Sequence, residues 1–254
     1  VPDAHVVSAH PEPHSFTAAW ARASVAAVRA LGGVAEHSDL YALGFDPAER
    51  AALYANADIA EGHFDPLKVQ QRAVARDALP ADLAEQVARI RRAGLLILHF
   101  PIWWFSPPAI LKGWMDRALV HGALHAEDAR FDRGVCRGKR ALICVSTGCS
   151  AAECGPDGRE GDLRLLLWPL AQTLRYCGFE VYEPVAVHSV HGYHEPPQRR
   201  ALEQRLSETL AAQEGLVAGL ETRPLWPFNR DADFDSEGRL LPEAPSHSPF
   251  IRHI

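Results

Sequence analysis

The apolar positions of the chain fall into short, nearly unbroken runs separated by stretches where they recur every three or four residues. The short runs read as strands: Ala4-His5-Val6-Val7-Ser8-Ala9, Val34 to Leu40, a run from Gly94 through Leu98, Lys139 to Ser146, and Phe179 to Val187. The Gly94–Leu98 run contains no polar side chain, the pattern of a strand buried on both faces of a parallel sheet. Pro101 ends it, because proline cannot donate to the ladder. Between the runs the spacing becomes helical. It predicts helices over Thr17–Leu31, over a segment with Pro80 at its first position through Arg92, over Ala109–Val120, over Gly161–Tyr176 and over Pro196–Leu220. Ser15 is placed to cap the first helix, and Gly32-Gly33 and Gly178 to end the first and fourth. Pro107 and Pro108 open the helix at Ala109, where a missing N–H costs nothing.

Five strands alternating with helices predict a doubly wound α/β domain with a five-stranded parallel sheet; taken in the flavodoxin-like order 2-1-3-4-5, the strand order reverses between strands one and three. Residues 1–220 form that domain, and 221–254 form a proline-rich C-terminal extension at the dimer or active-site rim. Asp46–Pro80 and His121–Gly138 read as excursions, the first holding short helices. Ligands of such sheets bind beyond the carboxyl ends of the strands, where the strand order reverses. The loops His10–Phe16, Pro101–Ser106 and Thr147–Glu160 therefore converge on one crevice.

Composition narrows the classes of function. A chain of 254 residues buries a sizeable core without cross-links, and its net charge of −6 lacks long runs of one sign, so neither nucleic acid nor an anionic membrane is an expected partner. No stretch approaches the ~18 apolar residues of a membrane span. Five cysteines, an odd number, fit a reducing compartment better than a disulfide framework. With no charged-then-apolar leader pattern, a cytoplasmic location is the expectation.

The three loops carry the chemistry. His10, His14, Ser15, Phe16 and Thr17 sit at a helix start, where free N–H groups and a partial positive charge favour phosphate. A surface turn with an ordinary cap is the simpler alternative, and neither a P-loop nor a Gly-x-Gly-x-x-Gly motif is present. Pro101, Ile102, Trp103, Trp104 and Phe105 place three aromatics in succession in a loop, which is costly unless something flat and apolar covers them or they fold onto the core. Thr147, Gly148 and Cys149 begin a loop of small residues whose amides can approach a ligand closely. A flat ring system bearing phosphate, such as a flavin, fits these three loops together. Cys149 and Cys154 also allow a redox disulfide or a thiolate nucleophile, although they lack Cys-x-x-Cys spacing and no histidine adjoins them. His121 with His125, and His188, His191 and His194, have spacings that raise zinc. No His-Glu-x-x-His accompanies them, so the second set reads as crevice rim and no metal is expected.

The ordered motifs Ala9-His10-x-x-x-x-Ser15-Phe16, Ser38-Asp39-Leu40-Tyr41-Ala42, Phe100-Pro101-x-x-Trp104-Phe105, Pro108 to Trp114, Thr147-Gly148, Gly161-Asp162, Leu167-Trp168-Pro169 and Cys177-Gly178-Phe179 resemble the NAD(P)H:quinone acceptor oxidoreductase family, the DT-diaphorase-like flavoproteins. The resemblance implies a bound FAD rather than FMN, a homodimer with sites at the interface, and ping-pong hydride transfer from NAD(P)H to a quinone. It places His10, Ser15 and Phe16 at the diphosphate, Pro101 to Phe105 along the ring, Trp104 and Phe105 as substrate floor, and Thr147, Gly148 and Cys149 at the polar edge of the ring. It puts partner-chain substrate contacts near His125 and Glu127 and a closing aromatic at Phe234, with Tyr176 and His191 at the rim. Where relatives carry a tyrosine and a histidine as a proton relay, this chain has Cys154 and Glu160, so its catalytic set becomes Gly148, Cys149, Cys154 and Glu160. Glu160 either turns aside, pairing with Arg159 or Arg164, or stays protonated and donates. The same machinery acting on an azo, nitro or polyketide acceptor, or a non-catalytic flavin-binding electron carrier or regulatory subunit, are the alternatives.

Overall fold

The computed structural model describes residues 1–54 and 63–254; the part of the first excursion at 55–62 lies outside them. Strands β1 (Ala4–Ser8), β2 (Ala35–Asp39), β3 (Leu95–Pro101), β4 (Arg140–Ser146), β5 (Glu180–Val181) and β6 (Val185–Val187) form one parallel sheet. Its order is β2-β1-β3-β4-β5, with β6 also paired to β4. Helices α1 (Phe16–Ala30), α2 (Pro66–Ala75), α3 (Ala81–Arg92), α4 (Ala109–Ala118), α5 (Leu163–Tyr176), α6 (Pro196–Ala211) and α7 (Gln213–Ala218) cover its two faces. The sheet matches the predicted flavodoxin-like order.

Three boundaries differ from the sequence reading, each for a physical reason. Pro80 caps α3 from outside rather than starting it. The fifth strand breaks after Val181: Pro184 has no N–H to give, and the carbonyls of Glu183 and Pro184 accept from the Arg223 guanidinium. The last helix is interrupted at Ala212, so that Gln213 and Val217 of α7 are buried, and it tightens into a 3₁₀ turn over Gly219–Thr222.

Alternation along the central strands sorts side chains to two cores. Leu96, Leu98, Phe100, Ile143 and Val145 pack with Leu83, Val87 and Ile90 of α3, Leu111 and Trp114 of α4, and Leu167 and Leu170 of α5. Val6, Leu95, Ile97 and Leu142 pack on the other face with Trp20, Val25 and Val28 of α1 and Val217 of α7. The C-terminal extension runs beside the β5 edge, where the Trp226 amide donates to the Val181 carbonyl, and returns to α5, where Phe250 stacks on Trp168 at 4.8 Å. Gly178, after α5, has φ +102°, and an added Cβ there would lie 2.8 Å from the Gly134 backbone, so glycine alone fits.

Two polar threads cross these apolar layers. His5 Nε2 meets Ser38 Oγ at 2.9 Å, Ser38 donates to Gln86 Oε1 at 3.0 Å, and Trp114 Nε1 donates to the same oxygen at 2.9 Å. On the other face His99 Nε2 meets Ser24 Oγ at 2.8 Å, Gln213 Nε2 donates to that hydroxyl at 2.8 Å, and Trp20 Nε1 donates to Gln213 Oε1 at 2.7 Å. Each thread fixes a central strand to helices by bonds that apolar packing alone does not specify.

Burial pushes both histidines down to about 3, because a charged ring inside the sheet would lose its hydration. Below pH 6.5 the unfolded chain binds protons at His5 and His99 that the folded chain refuses until about pH 3, so stability falls as pH drops through that window. Urea unfolding at pH 4, 5 and 6 should show His99→Gln with a shallower pH slope than the parent, by up to about 1.4 kcal/mol per pH unit. An equal slope would mean that His99 is not held neutral in the fold.

Candidate active site

The sheet register brings the predicted loops together. Ser8 pairs with His99, and His99 with Cys144, so β1, β3 and β4 reach their carboxyl ends at nearly one level. The Ile102 amide donates to Ser146 O at 2.8 Å and carries the β3–β4 pairing one residue further. Beyond it lies a cleft of about 260 Å³ lined by Ile102, Trp104, Phe105, Thr147, Gly148, Cys149, Cys154, Glu160, Leu163 and Leu166. All four residues assigned a catalytic place and the substrate-floor aromatics therefore line one cleft. At that volume, just under the usual range for small-molecule pockets, the cleft takes a flat ring end and leaves the rest of a larger ligand outside.

The aromatic loop is held in an unusual conformation. Trp103 and Ser106 exchange backbone hydrogen bonds of 3.0 and 3.1 Å, closing a two-residue turn. Trp104 and Phe105 fill it with φ of 49° and 61°, a left-handed pair that favours glycine or asparagine in such hairpins. Trp104 is 92 % exposed and Phe105 52 %. The loop therefore does not fold onto the core; the alternative left open by the sequence falls to the geometry.

In the first loop Ser15 caps α1 as expected, accepting from the Ala18 amide at 3.2 Å. The Phe16 and Thr17 amides remain at the helix start without intrahelical acceptors. His10 Nδ1 accepts from the Glu12 amide at 3.0 Å, which puts the ring proton on Nε2, free to donate outward. Partial burial holds this ring below the ordinary histidine value, and its edge meets Trp103 at 5.8 Å, joining the first loop to the aromatic one. His14 is exposed, its amide bound to Glu12 Oε1.

In the third loop Thr147 Oγ1 gives its only proton to Cys149 O at 2.9 Å, so the His188 Nδ1 at 2.9 Å must donate to it. The Ser189 and Val190 amides bind Cys149 O and Thr147 O at 2.8 and 2.9 Å. His188, which sequence reading placed only among rim histidines, is thus the residue that fixes Thr147; the signal for it is its position one residue past the strand beside β4. An added Cβ at Gly148 meets nothing within 4 Å, and among the described residues no hydrogen bond occupies the Gly148 or Cys149 amide. Open space beside two free amides is what the polar edge of a flavin requires, so these residues fit that group.

The cysteines correct one expectation. Cys149 and Cys154 are joined by a disulfide, and Cys136, Cys144 and Cys177 are free and buried. Wide spacing does not prevent the bond, because Ser150 and Glu153 turn the chain back and the Cys154 amide reaches Ser150 O at 3.1 Å. Glu160 lines the cleft and also lies 3.6 Å from Arg159 Nε, while Arg164 is engaged by Glu183 at 2.7 Å. Tyr176, His125, Glu127, His191 and Phe234 are not in the wall of this cleft. His125 and Phe131 both meet the Tyr176 ring, Glu127 is exposed, His191 stacks on His194 at 3.8 Å, and Phe234 bridges to Leu240. Among the described residues no group of three or more histidine, cysteine or acidic side chains is placed to hold a metal, and no helix is long and apolar enough to cross a membrane.

Comparison with known proteins agrees with this geometry. The family profile for the flavodoxin-like fold (Flavodoxin_2) matches residues 3–210. NAD(P)H dehydrogenase (quinone) 1 of Rattus norvegicus is 35 % identical over 197 residues, 77 % of this chain and 71 % of that protein. Ribosyldihydronicotinamide dehydrogenase (quinone) of Mus musculus is 37 % identical over 180 residues, 70 % of this chain and 78 % of that protein. A crystal structure from Klebsiella pneumoniae, described as a candidate quinone reductase, superposes with a TM-score of 0.84 at 27 % identity over 96 % of this chain and 95 % of its own. The chain belongs to the NAD(P)H:quinone oxidoreductase family of flavodoxin-like flavoproteins.

The exposed Trp104 contributes little packing, and its backbone angle favours glycine. Trp104→Gly should leave urea stability unchanged or raise it by up to about 1 kcal/mol. A loss above ~2 kcal/mol would mean that the ring is packed into the fold.

Proposed function

We propose that the chain is an oxidoreductase that binds FAD, takes a hydride from NAD(P)H and passes it to a quinone in a ping-pong cycle, as a homodimer. The observation that carries this reading is the juxtaposition of two outward-held aromatics, Trp104 and Phe105, with the free amides of Gly148 and Cys149 across one cleft. The names of the relatives above support the donor and the acceptor class.

When bound, the flavin supplies two-electron hydride chemistry. The protein does the rest. The Phe16 and Thr17 amides and His10 Nε2 bind the phosphates at the positive end of α1. Ile102, Trp104 and Phe105, which line the cleft, would lie along the ring, and Trp104 and Phe105 would hold the flat acceptor against it. Pro101 is buried in β3 and supports the loop from below. With a flavin bound there, the free Gly148 and Cys149 amides would face its polar edge and stabilise negative charge on it. Thr147, oriented by His188, holds that turn of backbone in position. Glu160 is drawn toward Arg159, which lessens a repulsion that, at ~5 Å and an effective dielectric near 20, would reach roughly 3 kcal/mol.

Steady-state oxidation of NADH and NADPH with menadione, an azo dye and a nitroaromatic tests the reading. Turnover should be fastest with the quinone, and no stimulation by any acceptor would favour the electron-carrier alternative. Trp104→Ala should lower turnover at least tenfold without a matching fall in Tm. Glu160→Gln should change the hydride-transfer rate less than threefold between pH 6 and 8; a tenfold loss would make Glu160 a proton donor. Three neighbouring exposed aromatics ask for cover from a second chain, so sedimentation should give a dimer, with an interface on the order of 2,000 Å². A fully active, flavin-loaded monomer would contradict that assembly.

A further inference from the structure

We propose that the Cys149–Cys154 disulfide is a redox-active pair that takes two electrons from the flavin bound in the same cleft, an inference that rests on the flavin reading above. Both cysteines belong to the cleft wall, beside Trp104, Phe105 and Gly148. The bond has little structural work to do. The Cys154 amide already binds Ser150 O at 3.1 Å, Ser150 binds Glu153 Oε2 through both its amide and its hydroxyl, and the Glu160 amide binds Glu153 O at 3.0 Å. The Leu163 amide fixes Cys154 O to the start of α5 at 3.0 Å, and the Ser189 amide fixes Cys149 O to the end of β6. A cross-link across five residues, parallel to hydrogen bonds that close the same turn, adds least among possible disulfides.

The other three cysteines show the contrast. Cys136, Cys144 and Cys177 lie in the two apolar cores away from the cleft wall, whereas Cys154, buried at the edge of one core, and half-buried Cys149 line the cleft. Burial pushes the Cys136 thiol up to about 11 and Cys177 to about 12, and raises Cys144 as well, so none is a ready nucleophile. The chain thus keeps its inert thiols in the interior and sets its one disulfide where a two-electron donor would bind. A disulfide in the wall of a ligand cleft is in reach of an electron donor bound there.

The step balances. The two-electron-reduced flavin, charged by NAD(P)H, gives up an electron pair and two protons. That electron pair breaks the S–S bond, and the two protons go one to each sulfur. Each sulfur ends as a thiol, and the flavin returns to its oxidised form. The chain then holds about four electrons instead of two when fully reduced.

The test uses purified holoprotein under anaerobic conditions, with flavin absorbance followed during NAD(P)H addition, then acid quench, alkylation in denaturant and mass spectrometry. Before reduction, label should appear only on Cys136, Cys144 and Cys177; after reduction, also on Cys149 and Cys154. Complete bleaching should need about two donor equivalents per chain in the parent and about one in Cys149→Ser, with Cys154→Ser as the second variant. Label on all five cysteines before reduction, or a bleached flavin with Cys149 and Cys154 still unlabelled, would overturn the proposal while leaving the flavin reading intact. Flavin that neither nicotinamide bleaches places the failure in the donor, and dithionite-reduced flavin then gives the same thiol test. A protein that retains no flavin overturns both.

Discussion

The pairing of Ser8 with His99 and of His99 with Cys144 sets the level at which three parallel strands end, and the rest of the site follows from it. Parallel strands all point their carboxyl ends one way, so every loop leaving them emerges on one side of the sheet. The shared register then brings a helix start, an aromatic turn and a small-residue loop to one rim. Shifting β3 by one residue would send His99 and the buried Leu96 and Leu98 to opposite faces and break both cores at once. The buried histidines add to this constraint: His99 of β3 meets Ser24 of α1, and His5 ties β1 to Ser38 of β2.

Much of this was legible in the sequence. The uninterrupted apolar run at Leu95–Leu98 identified a central strand, strand–helix alternation gave the doubly wound class, and the order of the sheet came from likeness to the flavodoxin-like fold. The meeting of Trp104, Phe105, Thr147, Gly148, Cys149, Cys154 and Glu160 followed from topology alone, because loops leaving neighbouring parallel strands have to converge. What was not legible depends on contacts distant in the chain. The break at Val181 depends on Arg223, which satisfies carbonyls that the edge strand leaves open. The orienting role of His188 depends on which strand lies beside β4. The disulfide depends on a turn at Ser150–Glu153 that spacing rules do not capture. The left-handed angles of Trp104 and Phe105 run against local propensity altogether, and such conflicts concentrate where function holds strain in place.

That strain also shows how the aromatic turn is suited to its place. An aromatic pair with ordinary backbone angles would turn inward and join the apolar layer beneath, as Phe100 does three residues before Trp103. Locking the turn by paired Trp103–Ser106 hydrogen bonds keeps large flat surfaces in solvent, where they are available to another flat molecule. The opposite wall differs in kind, being glycine, free amides and a disulfide. An apolar platform facing hydrogen-bond donors matches a ring that is greasy on its faces and polar on one edge.

The central claim is that this cleft holds a flavin. The measurement that tests it most directly is the mass and amount of the cofactor released by acid from the purified protein, compared between the parent and a variant with Gly148→Val, whose side chain would fill the space beside the free amides. One FAD per chain in the parent and a clear loss in the variant are the predicted result. A parent that releases no flavin, or a variant that retains a full complement, would contradict the placement of the ring between the aromatic turn and the Thr147–Cys149 loop.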